Sequence, residues 1–368
     1  MGKNALYTKF RPKQLHEIVG QEYAVKTFKQ ASISNKFAHA YVLVGNKGCG
    51  KTTTARILAN LMTCEDPKDA VTCGKCLSCE HVPNGTISDV VELDGAANGN
   101  VEHVQDIIEG ASWNPNLLKR KIYIIDECHQ LSHKAISALL KIVEEPPEYV
   151  SFIFCTTEPK KIPETILSRA QTFVYRKLPL KDIVDRLRYI ADAEGINITD
   201  GALFYIARIS RGCLRDAIVP LEQIFTMAGD KKIEEDHIHK YFGLPDRQGI
   251  MQICKAMVNG DISLVLDQAN DMTMATADVE SIAYEISEAF RTIMLLKGQG
   301  GESKWIELPD HEVEQLKNIG DSLNLGQLDK LSKVFSTLKK ELSYSINERW
   351  VLESTLIHCS ARLRKKQQ

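Results

Sequence analysis

The stretch AYVLVGNKGCGKT (residues 40–52) decides the fold, because an apolar run passes directly into a glycine-rich loop. The run AYVLVG predicts a strand buried on both faces. The loop from Gly45 to Thr52 fits the pattern G-x-x-x-x-G-K-[ST] without a gap, and KTTTARILANLMT (51–63) reads as a helix. Glycines at such a junction let backbone N–H groups curl around phosphate oxygens, and the helix N-terminus adds partial positive charge. The sequence therefore predicts a nucleotide-binding α/β domain.

The side chains of this loop have separate expected roles. Lys51 would reach the β- and γ-phosphates of ATP, and the Thr52 hydroxyl would ligate Mg²⁺. We assign six residues of the loop and the following helix to the nucleotide site: Gly45, Gly48, Gly50, Lys51, Thr52 and Thr53.

A second motif, IYIIDECHQLS (122–132), places two acids after another apolar run. Asp126 ends the predicted strand, where it can hold Mg²⁺ directly or through water. Glu127 can orient the attacking water and take its proton. The next predicted strand ends in Thr156 and Thr157, and one of these hydroxyls can bond the γ-phosphate or the water.

The composition is that of a globular protein with more than one domain. The chain has 368 residues, of which 43% are apolar and 26% charged, and its net charge is −2. No overall charge therefore attracts nucleic acid, and such a partner would need a local patch. No signal peptide or apolar run of 18 residues is visible. We expect a cytoplasmic protein without a membrane partner, whose ten cysteines stay reduced.

Strands alternate with helices only in the first half of the chain. After the first strand, the predicted strands are ISDVVELD (87–94), KIYIID (121–126), SFIFCTT (151–157) and TFVYRKL (172–178). This alternation predicts a parallel sheet with helices on both faces and functional loops at the carboxyl ends of the strands. Beyond Pro179 the pattern is helical. We expect an α/β core at 1–178, a small helical lid at 179–242 and an all-α domain at 243–368.

Four cysteines follow the nucleotide loop, namely Cys64, Cys73, Cys76 and Cys79. Clustered thiols in a reducing compartment predict a metal site, and four thiolates suit tetrahedral Zn²⁺. An iron–sulfur run of the ferredoxin type is the rival, but its fourth cysteine would lie downstream of the triplet. His81 is the substitute ligand if Cys64 points away. Because a four-cysteine site has no open position, we expect a structural zinc module at 64–79 rather than a catalytic metal.

Several segments occur together in a recognisable order: LYTKFRPKQLHEIVGQE (6–22), the glycine loop, the four cysteines, DECHQLS (126–132), the run from 139 to 173, and GCLRDA (212–217). In this order they resemble the AAA+ motor family of bacterial replicative clamp loaders, the gamma and tau subunits of DNA polymerase III. The resemblance is dense from residue 6 to about 225 and is limited to helical character beyond. It implies an AAA+ domain, a lid, and a C-terminal collar that forms oligomers.

The resemblance also implies roles for individual residues. Arg11, Pro12, Val19 and Gly20 fall in the segment that packs around adenine. Thr157, rather than Thr156, matches the residue that senses the γ-phosphate from the neighbouring strand.

Three basic residues match family positions outside the loop. Arg215 matches the lid arginine that reaches the phosphates, and Arg169 matches the arginine finger that enters the ATP site of an adjacent subunit. Lys141 matches a helix lysine that faces DNA. Without the resemblance, Arg169 reads equally well as a helix-end ion pair and Lys141 as a solvated surface lysine.

The function implied by the resemblance is an ATP-driven motor. It would open the ring-shaped sliding clamp and load it onto primer–template DNA, in a complex with further copies of itself and with delta-like and delta-prime-like subunits. A non-catalytic stator of the same complex is one alternative, and another AAA+ DNA motor, such as a Holliday-junction branch-migration ATPase, is a second. The sequence leaves open the number of motor copies, the host, the clamp, and whether the chain is a natural short form, a truncated piece or a viral version.

Overall fold

The structure is a computed structural model that describes residues 5–229, 231–274, 278–299, 306, 308 and 310–364. The chain divides into two compact units, Met1–Lys232 and Ile233–Gln368. The core and the lid expected from the sequence therefore form one unit. The second unit begins ten residues before the expected boundary at 243, because the helix Glu235–Phe242 belongs to it. The backbone N–H of Asp278 donates to the carbonyl of Gly243, directly after that helix, at 3.3 Å.

The first unit contains a five-stranded parallel sheet, as the sequence predicts. Its strands are β1 (Ala40–Gly45), β2 (Val90–Asp94), β3 (Lys121–Asp126), β4 (Val150–Thr156) and β5 (Gln171–Tyr175). Their order across the sheet is β2-β3-β4-β1-β5, and each neighbouring pair is parallel. The loops that follow β1, β3 and β4 therefore meet at one edge of the sheet.

Helices cover both faces of this sheet. The helices of the α/β core are α1 (Leu6–Lys9), α2 (Glu22–Ser34), α3 (Lys51–Thr63), α4 (Leu77–His81), α5 (Val101–Ala111), α6 (His133–Glu144) and α7 (Glu164–Leu167). Tyr41 and Leu43 of β1 share a hydrophobic cluster with residues of α2 and α3. Val42 and Val44 share another cluster with residues of α5 and α6. Alternate side chains of β1 thus face opposite layers, which is why the strand is apolar throughout.

The lid consists of α8 (Leu180–Glu194), α9 (Asp200–Ile209) and α10 (Leu214–Ala228). The N-terminal segment is bound to two of these helices. The backbone N–H of Leu6 donates to Glu222 at 3.1 Å, and Arg186 donates to the carbonyl of Phe10 at 3.0 Å. The N-terminal segment therefore packs on α8 and α10 of the lid.

The second unit is helical throughout its described part. Its helices are α11 (Glu235–Phe242), α12 (Arg247–Asn259), α13 (Ile262–Met274), α14 (Val279–Gly298), α15 (Asp310–Gly320), α16 (Leu325–Tyr344) and α17 (Glu348–Arg364). They enclose a single hydrophobic cluster, and beside it the buried Arg247 donates to Glu285 at 2.8 Å and to Glu312 at 3.1 Å. Among the described helices of either unit, none is both long and apolar enough to cross a bilayer.

Candidate functional site

A cleft of about 770 Å³ lies at the carboxyl edge of the sheet. Twelve residues that the sequence assigned to nucleotide or catalytic roles line it: Arg11, Pro12, Val19, Gly48, Gly50, Lys51, Thr52, Thr53, Asp126, Glu127, Thr157 and Arg215. Two others that were assigned to the nucleotide, Gly20 and Gly45, are not among the lining residues. The structure therefore gathers into one space residues from the N-terminal segment, three loops of the sheet and the lid.

The glycine loop has the backbone that its sequence requires. Gly48 and Gly50 have φ angles of 75° and 100°, in the left-handed region that favours glycine. Gly50 caps α3, so Lys51 begins the helix. The Lys51 side chain is buried, and its Nζ donates to the carbonyls of Gly45 and Asn46 at 2.9 and 3.0 Å.

Gly45 has a packing role that the motif does not reveal. A Cβ atom at this position would lie 2.7 Å from both Cβ and the carbonyl oxygen of Tyr175 on β5. The close approach of β1 to β5 therefore requires glycine here. This explains why Gly45 is needed for the loop although it does not line the cleft.

The two residues assigned to Mg²⁺ are in contact. The Thr52 hydroxyl donates to Oδ2 of Asp126 at 2.7 Å, and Oδ1 of Asp126 accepts from the backbone N–H of Glu127 at 3.0 Å. A hydroxyl and a carboxylate are the hard oxygen ligands that Mg²⁺ prefers. The pair offers such ligands side by side, at the start of α3 and the end of β3.

The carboxylate of Glu127 contacts Thr157, which follows β4, and lies near His129. Its φ is 45°, a left-handed conformation that turns the chain directly after β3. Its Oε2 accepts from the Thr157 hydroxyl at 3.3 Å and lies 3.4 Å from Nδ1 of His129. His129 belongs to a short 3₁₀ turn, Cys128–Gln130, and also lines the cleft. Sequence reasoning assigned it no role.

The two threonines after β4 differ in their surroundings. Thr156 is fully buried, and its hydroxyl accepts from the backbone N–H of Glu158 at 3.0 Å. Thr157 lines the cleft and bonds Glu127. Of the two candidates, Thr157 is therefore the one placed to meet a ligand.

The opposite wall of the cleft comes from the N-terminal segment and the lid. Arg11 donates through Nε to the Thr53 hydroxyl at 3.1 Å. The guanidinium of Arg215, in the first turn of α10, stacks 4.9 Å from the ring centre of Tyr7. The thiol of Cys213, just before α10, contacts the carbonyl of Lys47 in the glycine loop. These contacts bind the lid to the loop.

The thiols around the site are not candidate nucleophiles. Burial raises the pKa of Cys49, within the glycine loop, and raises the pKa of Cys128 to about 12. Both thiols are therefore neutral near pH 7, whereas a nucleophilic cysteine must be a thiolate.

Arg169 and Lys141 lie outside the cleft lining. Arg169, which is 39% exposed, follows α7 and pairs with Glu144 at 2.9 Å. Its Nη1 also donates to the carbonyl of Thr165 at 3.1 Å. Lys141 is exposed on α6, one turn before Glu144. Neither residue contributes to the site of its own chain.

The four predicted metal ligands converge. All four Sγ atoms of Cys64, Cys73, Cys76 and Cys79 lie within 4.8 Å of one another, and four of the separations are 3.5, 3.7, 3.9 and 3.9 Å. Four sulfurs bound to one zinc ion at about 2.3 Å lie about 3.8 Å apart, so the cluster fits a single tetrahedral ion. His81 is not needed as a ligand, because Cys64 points inward and the Nδ1 of His81 bonds Thr86 at 2.8 Å.

The cysteine module is bound to the rest of the first unit by several hydrogen bonds, among them contacts to the N-terminal segment and to Lys119. Gln14 exchanges two hydrogen bonds with Thr72, through the hydroxyl at 2.8 Å and through the backbone N–H at 3.1 Å. Lys119 donates to the carbonyl of Cys64 at 2.6 Å. The module is thus held to the N-terminal segment that lines the cleft, and it contributes no residue to the cleft lining.

Comparison with known proteins identifies relatives for both units. Residues 20–179 match the family described as DNA polymerase III, delta subunit, and residues 233–367 match DNA polymerase III subunits gamma and tau domain III. The DNA polymerase III subunit tau of Bacillus subtilis is 33% identical over 357 residues, which are 97% of this chain and 63% of that protein. The chain therefore spans less than two-thirds of this relative.

A further relative matches along its whole length. The DNA polymerase III subunit gamma of Buchnera aphidicola is 29% identical over 99% of this chain and 100% of that protein. Among solved structures, the Thermotoga maritima RuvB Holliday junction branch migration motor superimposes with a TM-score of 0.50 at 21% identity, over 68% of this chain and 79% of that chain. At this identity the likeness confirms the AAA+ fold alone.

Proposed function

Because the chain belongs to the family of DNA polymerase III gamma and tau subunits, we propose that it is an ATP-hydrolysing motor subunit of a clamp loader. The observation that carries the proposal is the single cleft in which Lys51, Asp126, Glu127, Thr157 and Arg215 meet. Each residue type there suits one task of phosphoryl transfer.

Within this cleft each side chain acts on a different part of ATP and water. The backbone N–H groups of the glycine loop and the Lys51 ammonium bind the phosphates. Thr52 and Asp126 would hold Mg²⁺, which when bound would supply positive charge to the phosphate oxygens. Glu127 orients the attacking water and accepts its proton, and Thr157 fixes the Glu127 carboxylate from the adjacent strand.

The adenine end of ATP lies against the N-terminal segment. Arg11, Pro12 and Val19 line that side of the cleft, together with Tyr7 and Ile18. Gly20 has a φ of 63°, and a Cβ there would lie 2.7 Å from Leu178. Gly20 therefore serves this wall by allowing the segment to approach the start of the lid, rather than by touching the base.

The partners follow from the same proposal. The motor acts in a complex with further copies of itself and with delta-like and delta-prime-like subunits, through its C-terminal helical unit. Together they open the ring-shaped sliding clamp and load it onto primer–template DNA, with Lys141 as a candidate DNA contact. Arg169 supplies its guanidinium to the cleft of a neighbouring subunit, where charge develops during hydrolysis.

Two other functions fit the structure less well. A non-catalytic stator has no need for a buried lysine and paired acids, yet Lys51, Asp126 and Glu127 line one cleft. A branch-migration motor shares the AAA+ fold, but the likeness to RuvB is one of fold alone. The four-cysteine module and the match of the second unit to gamma and tau domain III both favour the clamp loader.

ATP binding by Lys51→Ala tests the nucleotide site. Removing a charge-assisted contact to phosphate is expected to weaken ATP binding by about 10- to 100-fold, which corresponds to about 1.4–2.7 kcal/mol. Titration of a fluorescent ATP analogue measures the change. Lys36→Ala is the matched control, because Lys36 is an exposed lysine that precedes β1 at the opposite edge of the sheet. Equal affinity in wild type and Lys51→Ala would remove the basis of the proposal.

Metal content tests the cysteine cluster. We expect one equivalent of zinc per chain in the wild type and less than half an equivalent in Cys76→Ser, because three ligands hold zinc less tightly than four. Elemental analysis after dialysis measures both. Cys359→Ala, outside the cluster, is expected to keep the full equivalent. A wild-type chain with less than half an equivalent, or one containing iron, would contradict the structural zinc site.

A further inference from the structure

We propose that His129 is a positioning residue that holds Glu127 ready for the attacking water and links it to Glu158. The proposal rests on the ATP hydrolysis proposed above. His129 lies at the back of the cleft, three residues after Asp126, and only 6% of its side chain is exposed. A buried imidazole with both nitrogens facing polar groups can fix those groups relative to each other.

Each ring nitrogen of His129 faces a different carboxylate. Nδ1 lies 3.4 Å from Oε2 of Glu127 and 3.3 Å from the hydroxyl of Thr156. Nε2 lies 3.2 Å from Oε1 of Glu158. The ring therefore bridges the turn after β3, which carries Glu127, and the loop after β4, which carries Thr157 and Glu158.

This bridge controls the group on which hydrolysis depends. Thr157 and His129 both contact the same oxygen of the Glu127 carboxylate, Oε2. Oε1 takes part in neither of these two contacts. A carboxylate restrained through one oxygen keeps the other in a fixed direction, and a general base must hold such a direction to be effective.

The bridge also connects the cleft to the surface. The side chain of Glu158 is 49% exposed and pairs with Lys161 at 3.1 Å. The backbone N–H of Glu158 donates to Thr156, whose hydroxyl is the other neighbour of Nδ1. A change in the position of the exposed Glu158 carboxylate is therefore transmitted to Glu127 through the His129 imidazole.

The test replaces His129 with residues that keep one nitrogen position each. Asparagine places its amide nitrogen near the position of Nδ1, and glutamine places it near Nε2. His129→Ala is expected to lower kcat for ATP by about 10- to 100-fold while KM and ATP affinity change less than about threefold, because the lost contact matters to the reaction rather than to binding. His129→Asn is expected to recover most of kcat, and His129→Gln little of it.

The controls separate positioning from packing. His133→Ala, an exposed histidine at the start of α6, is expected to leave kcat within about twofold. Steady-state ATPase assays use the full chain with its partner subunits, and thermal melts accompany each variant. Where His129→Ala does not fold, the comparison of asparagine with glutamine decides.

Three results would overturn the inference. One is an unchanged kcat in His129→Ala while the wild type is active. Another is an equal loss in the asparagine and glutamine variants that follows their melting temperatures, which indicates packing alone. A wild-type chain that binds ATP without hydrolysing it refutes the proposed function itself, and the role of His129 with it.

Discussion

Replacing Arg169 with alanine is expected to lower the ATPase rate of the assembled complex by about 10³- to 10⁵-fold, the range that arginine fingers supply in GTPases. Arg169 lies outside the cleft lining of its own chain and is 39% exposed, so its guanidinium can reach a neighbouring subunit. ATP binding to the isolated chain is expected to be unchanged, because the charge acts only when the neighbour is docked. Steady-state hydrolysis with clamp and primed DNA measures the loss.

Glu144→Ala is the matched control for this prediction. Glu144 pairs with Arg169 at 2.9 Å, so either substitution removes that ion pair, but only Arg169→Ala removes the guanidinium. An exposed pair contributes about 0–1 kcal/mol to stability, so neither variant is expected to unfold. If the two variants lose activity equally, Arg169 acts as the partner of Glu144 and not as a finger. In a mixture of Arg169→Ala and Lys51→Ala subunits, ATP hydrolysis is expected only at sites where Lys51 of one subunit meets Arg169 of its neighbour.

Replacing Glu127 with glutamine is expected to reduce kcat for ATP by about 10²- to 10⁴-fold, the usual contribution of a general base. Glutamine keeps the size of the side chain and can still accept from Thr157, but it cannot take a proton from water. ATP affinity should therefore persist, and single-turnover experiments should show bound ATP that is not cleaved. This combination distinguishes Glu127→Gln from Lys51→Ala, in which ATP binding itself is weakened.

Glu109→Gln serves as the control for charge and size. Glu109 is exposed on α5 and lies outside the cleft, so its activity should match the wild type. A Glu127→Gln variant that hydrolyses ATP at the wild-type rate would assign the proton transfer to another group. Glu158 is another carboxylate that lines the cleft, and Glu158→Gln would then be the next variant to measure.

The sequence predicted the strands well where burial alone defines them. β1 and β3 have the expected bounds, because the first five residues of each strand are buried. β2 begins at Val90 rather than at residue 87. The reason is Asp89, whose buried carboxylate accepts from the backbone N–H groups of residues 116–118 at 2.6–2.9 Å. This tertiary contact holds the turn just before Val90, where the strand begins, and leaves no local signal.

Candidate site residues that belong to a local motif could be predicted from the sequence. His129, whose partners are brought near only by the fold, could not. Lys51 and Thr52 follow from the pattern of the glycine loop, and Asp126 follows from its place at the end of an apolar run. His129 was missed because its partners Thr156 and Glu158 are 27 and 29 residues away, and only the pairing of β3 with β4 brings them near.

The strand order has a consequence for biosynthesis. β1 carries the glycine loop, yet its neighbours in the sheet are β4 and β5, which begin at Val150 and Gln171. A ribosome that adds about 5–20 residues per second needs about 5–20 s to pass from Gly45 to Val150. During that interval an apolar strand without partners is exposed to chaperones and to other nascent chains, because nonlocal pairing must wait for the distant segment. The nucleotide site is thus encoded early and can be assembled only late.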